Sequence, residues 1–314
     1  MRELQAKQSM EIPNLGAVLG AKKPVKTKQR IENLFYGIFF VLGMLSVGFV
    51  LLITVYLVIA GIPAIREIGV IDFLFGKTWA STAAQPSFGI LPFLLSSIYG
   101  TAGAIVIGVP VAFFTSVYLS KMAPKKVKAV MESAVAVLAG IPSVVYGLVG
   151  MMVLVPGIRK MFHLSDGASL FAAIVVLSVM ILPTVIKVSM NALDAVPKEY
   201  EDASLALGAN EIETYFRVSV PAAKSGIATA VVLGVGRAIG EAMAVMMVAG
   251  NAPNMPSLFE SVRFLTTAIA SEMSYSAGLQ REALFSIALV LFLFIMMINV
   301  TLNFLLKREK GAKA

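Results

Sequence analysis

Two oppositely charged residues, Arg237 and Glu241, lie inside an otherwise apolar stretch that runs from Ser225 to Phe259. A charge at the centre of a bilayer costs from about 3 to more than 10 kcal/mol, so such side chains face protein or water. Residues four apart on a helix share one face, so the two charges could neutralise each other and fasten this helix to its neighbours. The alternative is an anion path, because the planar guanidinium of arginine binds phosphate oxygens in a bidentate geometry.

The carboxylate of Glu241 cannot attract an anion, and we expect two other roles for it. It would hold Arg237 in place, and it would accept a hydrogen bond from the protonated oxygen of hydrogen phosphate, which sulfate lacks. Ser143 is a second candidate, because it follows Gly140 and Pro142 at a predicted helix interruption. Proline frees backbone carbonyls that can line a pathway, although proline kinks are also common in membrane helices without that role.

The composition places these residues in a membrane protein. Of the 314 residues, 58% are hydrophobic and 14% are charged, and the mean hydropathy is +0.86. Soluble domains have about 45–50% apolar and 25% charged residues, so a soluble enzyme and a disordered chain are both excluded. The absence of cysteine excludes disulfide and thiol chemistry, and the single histidine, His163, argues against a histidine metal site.

Uncharged stretches predict an all-α polytopic protein with six transmembrane helices. The first is residues 34–60, which is longer than the roughly 20 residues that span a bilayer. Residues 1–33 form a basic tail that lacks the short apolar core and cleavage site of a signal peptide. Residues 61–89 form an extracytoplasmic loop, residues 90–306 hold the other five helices, and residues 307–314 form a second tail.

The distribution of the 26 positive charges predicts the orientation. Counted segment by segment, 19 Lys and Arg lie in the two tails and in the loops on their side of the membrane, and 6 lie in the alternate loops. Positive charges are concentrated on the cytoplasmic side, so both termini are expected there. Arg237 is the one remaining positive charge, and the net charge of +8 therefore gives no indication of nucleic-acid binding.

The segment 194–221, called the coupling loop below, combines acidic residues with isolated apolar ones. Pro197 suits the first turn of a short helix, and Gly208 can end that helix in a left-handed conformation. Asn210 and Glu213 have the spacing of a capping box that starts a second helix. The local pattern is equally compatible with a plain solvated connector.

The coupling loop resembles the EAA loop of ABC importer permeases. That pattern is Glu-Ala-Ala, three residues, Gly, nine residues and Ile-x-Leu-Pro, and its spacing is kept here. Asp replaces Glu, Ser replaces the second Ala, and Val replaces both Ile and Leu. The matching positions are Asp202, Ala203, Ser204, Gly208, Val218, Val220 and Pro221. The resemblance implies that this loop docks onto a cytoplasmic ATPase.

Two further stretches, 139–147 and 234–245, resemble the phosphate-specific members of these permeases. The second contains Gly-Arg-Ala-Ile-Gly-Glu and precedes Gly250 and Asn251, as in the C-type subunit of such importers. The resemblance covers roughly residues 86–306. It implies a type I ABC importer permease fold and places Asn251, with Arg237, Glu241 and Ser143, along the substrate pathway.

The resemblance also implies a function and partners. The chain would be a non-catalytic permease subunit of a bacterial inner-membrane phosphate importer, binding no cofactor itself. Its partners would be a second permease, two ATPase subunits that use ATP, and an extracytoplasmic phosphate-binding protein. Two alternatives remain open: the same fold serving sulfate or molybdate, and a secondary transporter or channel that works without ATP.

Overall fold

The computed structural model describes residues 26–311, and for residues 26–31, 303 and 305–311 it describes the backbone alone. Most of the predicted tail 1–33 and the last residues of the tail 307–314 therefore lie outside the described residues. The chain divides into two compact units, residues 1–55 and 56–314. The described part of the first unit is a single stretch of apolar helix, and the second unit holds the remaining elements.

The described elements are almost all helical. In chain order the helices are α1 (Lys26–Ile68), α2 (Val70–Phe75), α3 (Leu91–Val117), α4 (Lys125–Gly140), α5 (Ser143–Val149), α6 (Val155–Met161), α7 (Leu170–Asp194), α8 (Lys198–Ala206), α9 (Glu211–Thr214), α10 (Val220–Ile239), α11 (Met243–Val248), α12 (Leu265–Glu272) and α13 (Gly278–Gly311). Three π-helical turns, Tyr118–Met122, Gly150–Leu154 and Tyr215–Ser219, join successive helices. Two short antiparallel strands, β1 (Trp79–Ala80) and β2 (Ser87–Phe88), pair Trp79 with Phe88.

Six helical segments in the described part of the chain are long and apolar enough to cross a membrane, as the sequence predicts. They are Glu32–Ile68, Leu91–Met122, Ser143–Met161, Leu170–Asp194, Glu211–Ile239 and Gly278–Leu302. The first begins close to the predicted residue 34 but ends eight residues later than predicted. The last helix continues to Gly311, into the predicted tail 307–314.

Helix α7 is the central element of the second unit, and it packs most extensively against α3 and α10. Small residues allow these helices to approach closely, as is usual between membrane helices. A Cβ atom at Gly108 of α3 would lie 2.9 Å from Ile181, and one at Gly234 of α10 would lie 2.8 Å from Val185. Ile181 and Val185 of α7 are both buried at this junction.

The predicted loop before the second span contains the strand pair and an aromatic cluster. The ring of Trp79 lies 5.4 Å from that of Phe88 and 5.5 Å from that of Phe93, between ring centroids. These side chains pack with Leu265 of α12 and Leu284 of α13 in one buried cluster. The strand pair is thus attached to the ends of α3, α12 and α13.

Candidate functional site

Helix α10 ends at Ile239, just after Arg237, so the predicted continuous helix through Glu241 is wrong. Residues 240–242 are not helical, and α11 starts at Met243. The cause is local: Gly240 is a poor helix former, and Glu241 offers its carboxylate to the next helix. Among the described residues no ion pair joins Arg237 to Glu241, so the two do not neutralise each other directly.

Arg237 is half-buried, and within the part of the chain that the structure describes its guanidinium makes one side-chain hydrogen bond, from Nη1 to the hydroxyl of Thr184 at 3.3 Å. Thr184 follows Pro183 inside α7, where the proline removes one backbone donor from the helix. Arg237 also lies close enough to the hydroxyl of Tyr146 on α5 for the two to interact electrostatically. An arginine with one neutral partner keeps most of its donors available for an anion.

Glu241 occupies the interruption and holds it in shape. Its Oε1 accepts a hydrogen bond from the backbone N–H of Ala244 at 2.9 Å, which caps the first turn of α11. Its backbone carbonyl accepts a hydrogen bond from the hydroxyl of Thr266, on α12, at 2.7 Å. These contacts give Glu241 a structural role at the start of α11, and its role in the substrate pathway stays a prediction.

Ser143 is the first residue of α5, directly after the interruption at Pro142, as the sequence predicts. Helices α5 and α11 lie side by side, because a Cβ atom at Gly147 would lie 2.7 Å from the Cα of Ala244. The structure therefore brings together the two interrupted segments that carry Ser143 and Glu241. The half-buried position of Ser143 beside α11 is compatible with its predicted role in the pathway.

Asn251 lies at the other end of α11 and faces a different environment. It adopts a left-handed backbone conformation with φ 58°, and its carbonyl accepts a hydrogen bond from Nε of Arg263 at 2.9 Å. Its side-chain Oδ1 is buried and has no hydrogen-bond partner among the described residues. The structure thus links Asn251 to Arg263 rather than to Arg237, and its role in the pathway stays a prediction.

A buried charge cluster around Glu272 is absent from the sequence-based prediction. The Nη1 atom of Arg263 lies 2.5 Å from Oε1 of Glu272, and their side chains are only 14% and 9% exposed. The same carboxylate accepts hydrogen bonds from Trp79 at 3.2 Å, from Gln280 at 2.9 Å and from Ser81 at 3.3 Å. These contacts join the strand pair to α12 and the start of α13.

The coupling loop has the predicted geometry. Gly208 follows α8 with φ 91°, a left-handed conformation that suits glycine. The capping box is confirmed, since Asn210 Oδ1 accepts from the N–H of Glu213 at 2.9 Å and the side chain of Glu213 accepts from the N–H of Asn210. Asp202, Ala203 and Ser204 lie on α8, and Pro221 lies in the first turn of α10.

The tip of the coupling loop exposes apolar side chains. Leu207 is 91% exposed and Ile212 is 57% exposed, and Tyr200 and Leu205 are also exposed. Asp202 and Ala203 are exposed on the same short helix. A protein surface that exposes several large apolar side chains beside acidic ones is typical of a protein–protein interface.

The six spans, the interrupted helices around Arg237 and the exposed loop define the membrane-embedded subunit of a transporter. Residues 104–310 match the family described as "Binding-protein-dependent transport system inner membrane component". The chain belongs to this family, which supplies the permease subunits of ABC importers.

Individual relatives agree with this assignment. The chain is 40% identical over 256 residues to the "Probable ABC transporter permease protein YqgH" of Bacillus subtilis, covering 79% of this chain and 83% of that protein. It is 30% identical over 303 residues to the "Phosphate transport system permease protein PstC" of Haemophilus influenzae, covering 90% and 95%.

Among solved structures, a chain from the crystal structure of a bacterial alginate ABC transporter superposes with a TM-score of 0.58 at 14% identity. The match covers 89% of this chain and 95% of that chain. At this identity the likeness shows the fold alone, which is that of a type I ABC importer permease.

Proposed function

We propose that this chain is the permease subunit of an ATP-driven importer that carries inorganic phosphate into the cytoplasm. The observation that carries the proposal is Arg237, an intramembrane cation that, among the described residues, hydrogen-bonds to the neutral Thr184 and to no carboxylate. A cation placed in this way, just before a helix interruption, suits an anionic substrate. The phosphate-transport names of the relatives that cover most of the chain support the choice of anion.

The surfaces around Arg237 support a second permease subunit. Gly236 and Gly240 have the small-xxx-small spacing that lets membrane helices approach closely. A Cβ atom at Gly236 would meet no heavy atom within 4 Å, so this position of α10 is open in the single chain. A partner permease packed here would close the anion path on the side of Arg237.

The coupling loop is the proposed docking site for the ATPase subunits. Its exposed Leu207 and Ile212 supply an apolar contact, and Asp202 supplies a charge at its edge. ATP is bound and hydrolysed by those subunits, and this chain contributes no catalytic group. With both termini in the cytoplasm, as the loop charges predict, the coupling loop also faces the cytoplasm.

Reconstitution of the chain with its partner permease, the ATPase subunits and the binding protein into liposomes tests the proposal. We expect ATP hydrolysis to rise when the binding protein is loaded with phosphate, and phosphate to accumulate inside only with ATP. Stimulation of ATP hydrolysis by sulfate and not by phosphate would contradict the assignment of phosphate as the substrate. Uptake by this chain alone, driven by an ion gradient, would overturn the ATP-driven class.

Replacing Glu241 with glutamine is expected to leave phosphate uptake largely intact and to lower the preference for phosphate over sulfate about tenfold. The glutamine oxygen still caps Ala244, but the charge that favours the protonated oxygen of hydrogen phosphate is lost. One such hydrogen bond contributes about 1.5 kcal/mol or more, which corresponds to about tenfold. Competition between labelled phosphate and unlabelled sulfate in the reconstituted importer measures the change.

The alanine variant separates the two roles of Glu241. Glu241→Ala removes the cap as well as the charge, so it should lower both uptake and the amount of assembled complex. If Glu241→Gln keeps the parental preference for phosphate over sulfate while Glu241→Ala loses assembly, the carboxylate stabilises the start of α11 and does not discriminate between the two anions.

A further inference from the structure

Two π-helical turns lie beside helix α8 of the coupling loop. One, Tyr118–Met122, extends α3, and the other, Tyr215–Ser219, belongs to the coupling loop and leads into α10. Such turns are rare and are found mostly as interruptions of α-helices, frequently at functional sites. Here each of them presents a side chain to the same residue of α8.

That residue is Glu201. Its Oε1 atom lies 2.7 Å from Nζ of Lys121, in the first π turn, and accepts a hydrogen bond of 2.7 Å from the hydroxyl of Ser219, in the second. The side chains of Lys121 and Glu201 are only 10% and 18% exposed, and Ser219 is fully buried. A charge pair shielded in this way is screened much less by salt than a surface pair.

The carboxyl group of Glu201 is held in its charged form. Burial acts to raise its pKa, but hydrogen bonds from Lys121 and Ser219 and the charges of Lys121 and Lys198 outweigh that effect, so the pKa lies below its ordinary value. Because the ordinary pKa of glutamate is about 4.3, the carboxylate of Glu201 stays ionised throughout the neutral range. It therefore keeps the negative charge that its contact with Lys121 requires.

Glu201 and its neighbour Asp202 face different sides of α8. Successive residues on an α-helix are about 100° apart around the axis, as follows from 3.6 residues per turn. Asp202, at the first position of the family pattern, is exposed, whereas Glu201 points towards the membrane helices. One acidic residue is thus available to a docked subunit, and the other connects the loop to the rest of this chain.

This contact is a direct link between helix α8 and the π turn that extends α3. The loop continues directly into α7 on one side and into α10 on the other, so movement of the loop reaches those helices through the backbone. Helix α3 has no such covalent connection, since about 80 residues separate Lys121 from Glu201. The same π turn is also tied to the end of α7, where Ser120 donates a hydrogen bond of 2.6 Å to Asp194.

We propose that Lys121 and Glu201 form a positioning pair that transmits movement of the coupling loop to α3. This inference rests on the proposed function, because it assumes that an ATPase pushes on the loop. The pair touches neither substrate nor nucleotide. The pair makes α3 move together with α7 and α10, so that the substrate path opens and closes as one unit during each ATP cycle.

The test compares ATP hydrolysis with anion uptake in the reconstituted complex. Glu201→Gln and Lys121→Gln are expected to assemble and to hydrolyse ATP, while the anion moved per ATP falls at least about fivefold, the lower end of typical coupling effects. The reversed pair Lys121→Glu with Glu201→Lys is expected to restore a large part of that ratio. Glu132→Gln is the matched control, because Glu132 is more exposed and lies 3.9 Å from its partner Lys128.

Each result decides the proposal. If Glu201→Gln leaves the anion moved per ATP unchanged, the proposal is wrong. It is also wrong if hydrolysis, uptake and the amount of assembled complex all fall in parallel and the reversed pair does not restore them, because that pattern indicates a merely structural contact. The anion used is the one that stimulates the parent complex. If that anion is sulfate, the substrate assignment fails, but the ratio still tests the pair.

Discussion

Replacing Arg237 with glutamine is expected to reduce phosphate uptake about 100-fold in a fully assembled importer. The guanidinium can supply two charge-assisted hydrogen bonds to one phosphate ion, and bonds to charged groups contribute about 1.5–3 kcal/mol each. Losing a pair of them costs about 3 kcal/mol or more, which corresponds to two orders of magnitude. Uptake of labelled phosphate into liposomes measures the loss.

Two further variants make the result specific to this guanidinium. Arg237→Lys keeps the charge but loses the planar fork, so we expect an intermediate rate. Arg281→Gln removes a positive charge from an exposed position at the start of α13 and should leave uptake unchanged. Parental uptake by Arg237→Gln in a complex of normal composition would exclude the anion-path role and leave Arg237 as a partner of Thr184.

The interruption at residues 240–242, between α10 and α11, shows which features of the site can be predicted from the sequence and which cannot. Arg237 and the break before Ser143 are visible in the sequence, because a lone charge and a Gly-x-Pro-Ser run stand out in apolar stretches. The relation of Arg237 to Glu241 is not visible in the sequence, because residues four apart share a face only if the helix continues through both of them. The competing local bond, from Ala244 to the carboxylate of Glu241, decides the outcome.

Two local features of the coupling loop could be predicted from its residues. They are the left-handed glycine at Gly208 and the capping box between Asn210 and Glu213, which depend only on neighbouring residues. The loop's docking role is implied by the family resemblance alone. The ion pair of Glu201 could not be predicted, because Lys121 is distant in sequence and each residue alone is an ordinary loop charge. The same holds for Thr184, which no pattern connects with Arg237.

The cluster around Glu272 lies beyond any local pattern as well. Its members are separated by up to 199 residues, and Arg263 precedes Glu272 by nine, which is not a helical spacing. The one available signal was the single tryptophan, Trp79, whose indole N–H usually finds a partner when the ring is buried. Here that partner is the carboxylate of Glu272, 193 residues away.

Replacing Glu272 with alanine is expected to destabilise the protein by about 3–5 kcal/mol, because it leaves the charge of Arg263 buried without an opposite charge. It also removes the acceptor for Trp79 and Gln280, whose donors are directed at the same carboxylate. Equilibrium unfolding of the purified subunit in mixed micelles, followed by circular dichroism, measures the loss. Glu260→Ala, an exposed glutamate in the segment before α12, is the matched control and should change stability by less than about 0.5 kcal/mol.

A double variant identifies the cause of that loss. Removing both charges with Arg263→Met and Glu272→Leu should recover part of the stability lost in Glu272→Ala, because an unpaired buried charge costs more than a missing pair. The recovery should be incomplete, since Trp79 and Gln280 still lack their acceptor. If the double variant were less stable than Glu272→Ala, the stabilising element would be the contact of the Arg263 guanidinium with the Phe93 ring, where Cζ lies 5.7 Å from the ring centroid, rather than the charge pair.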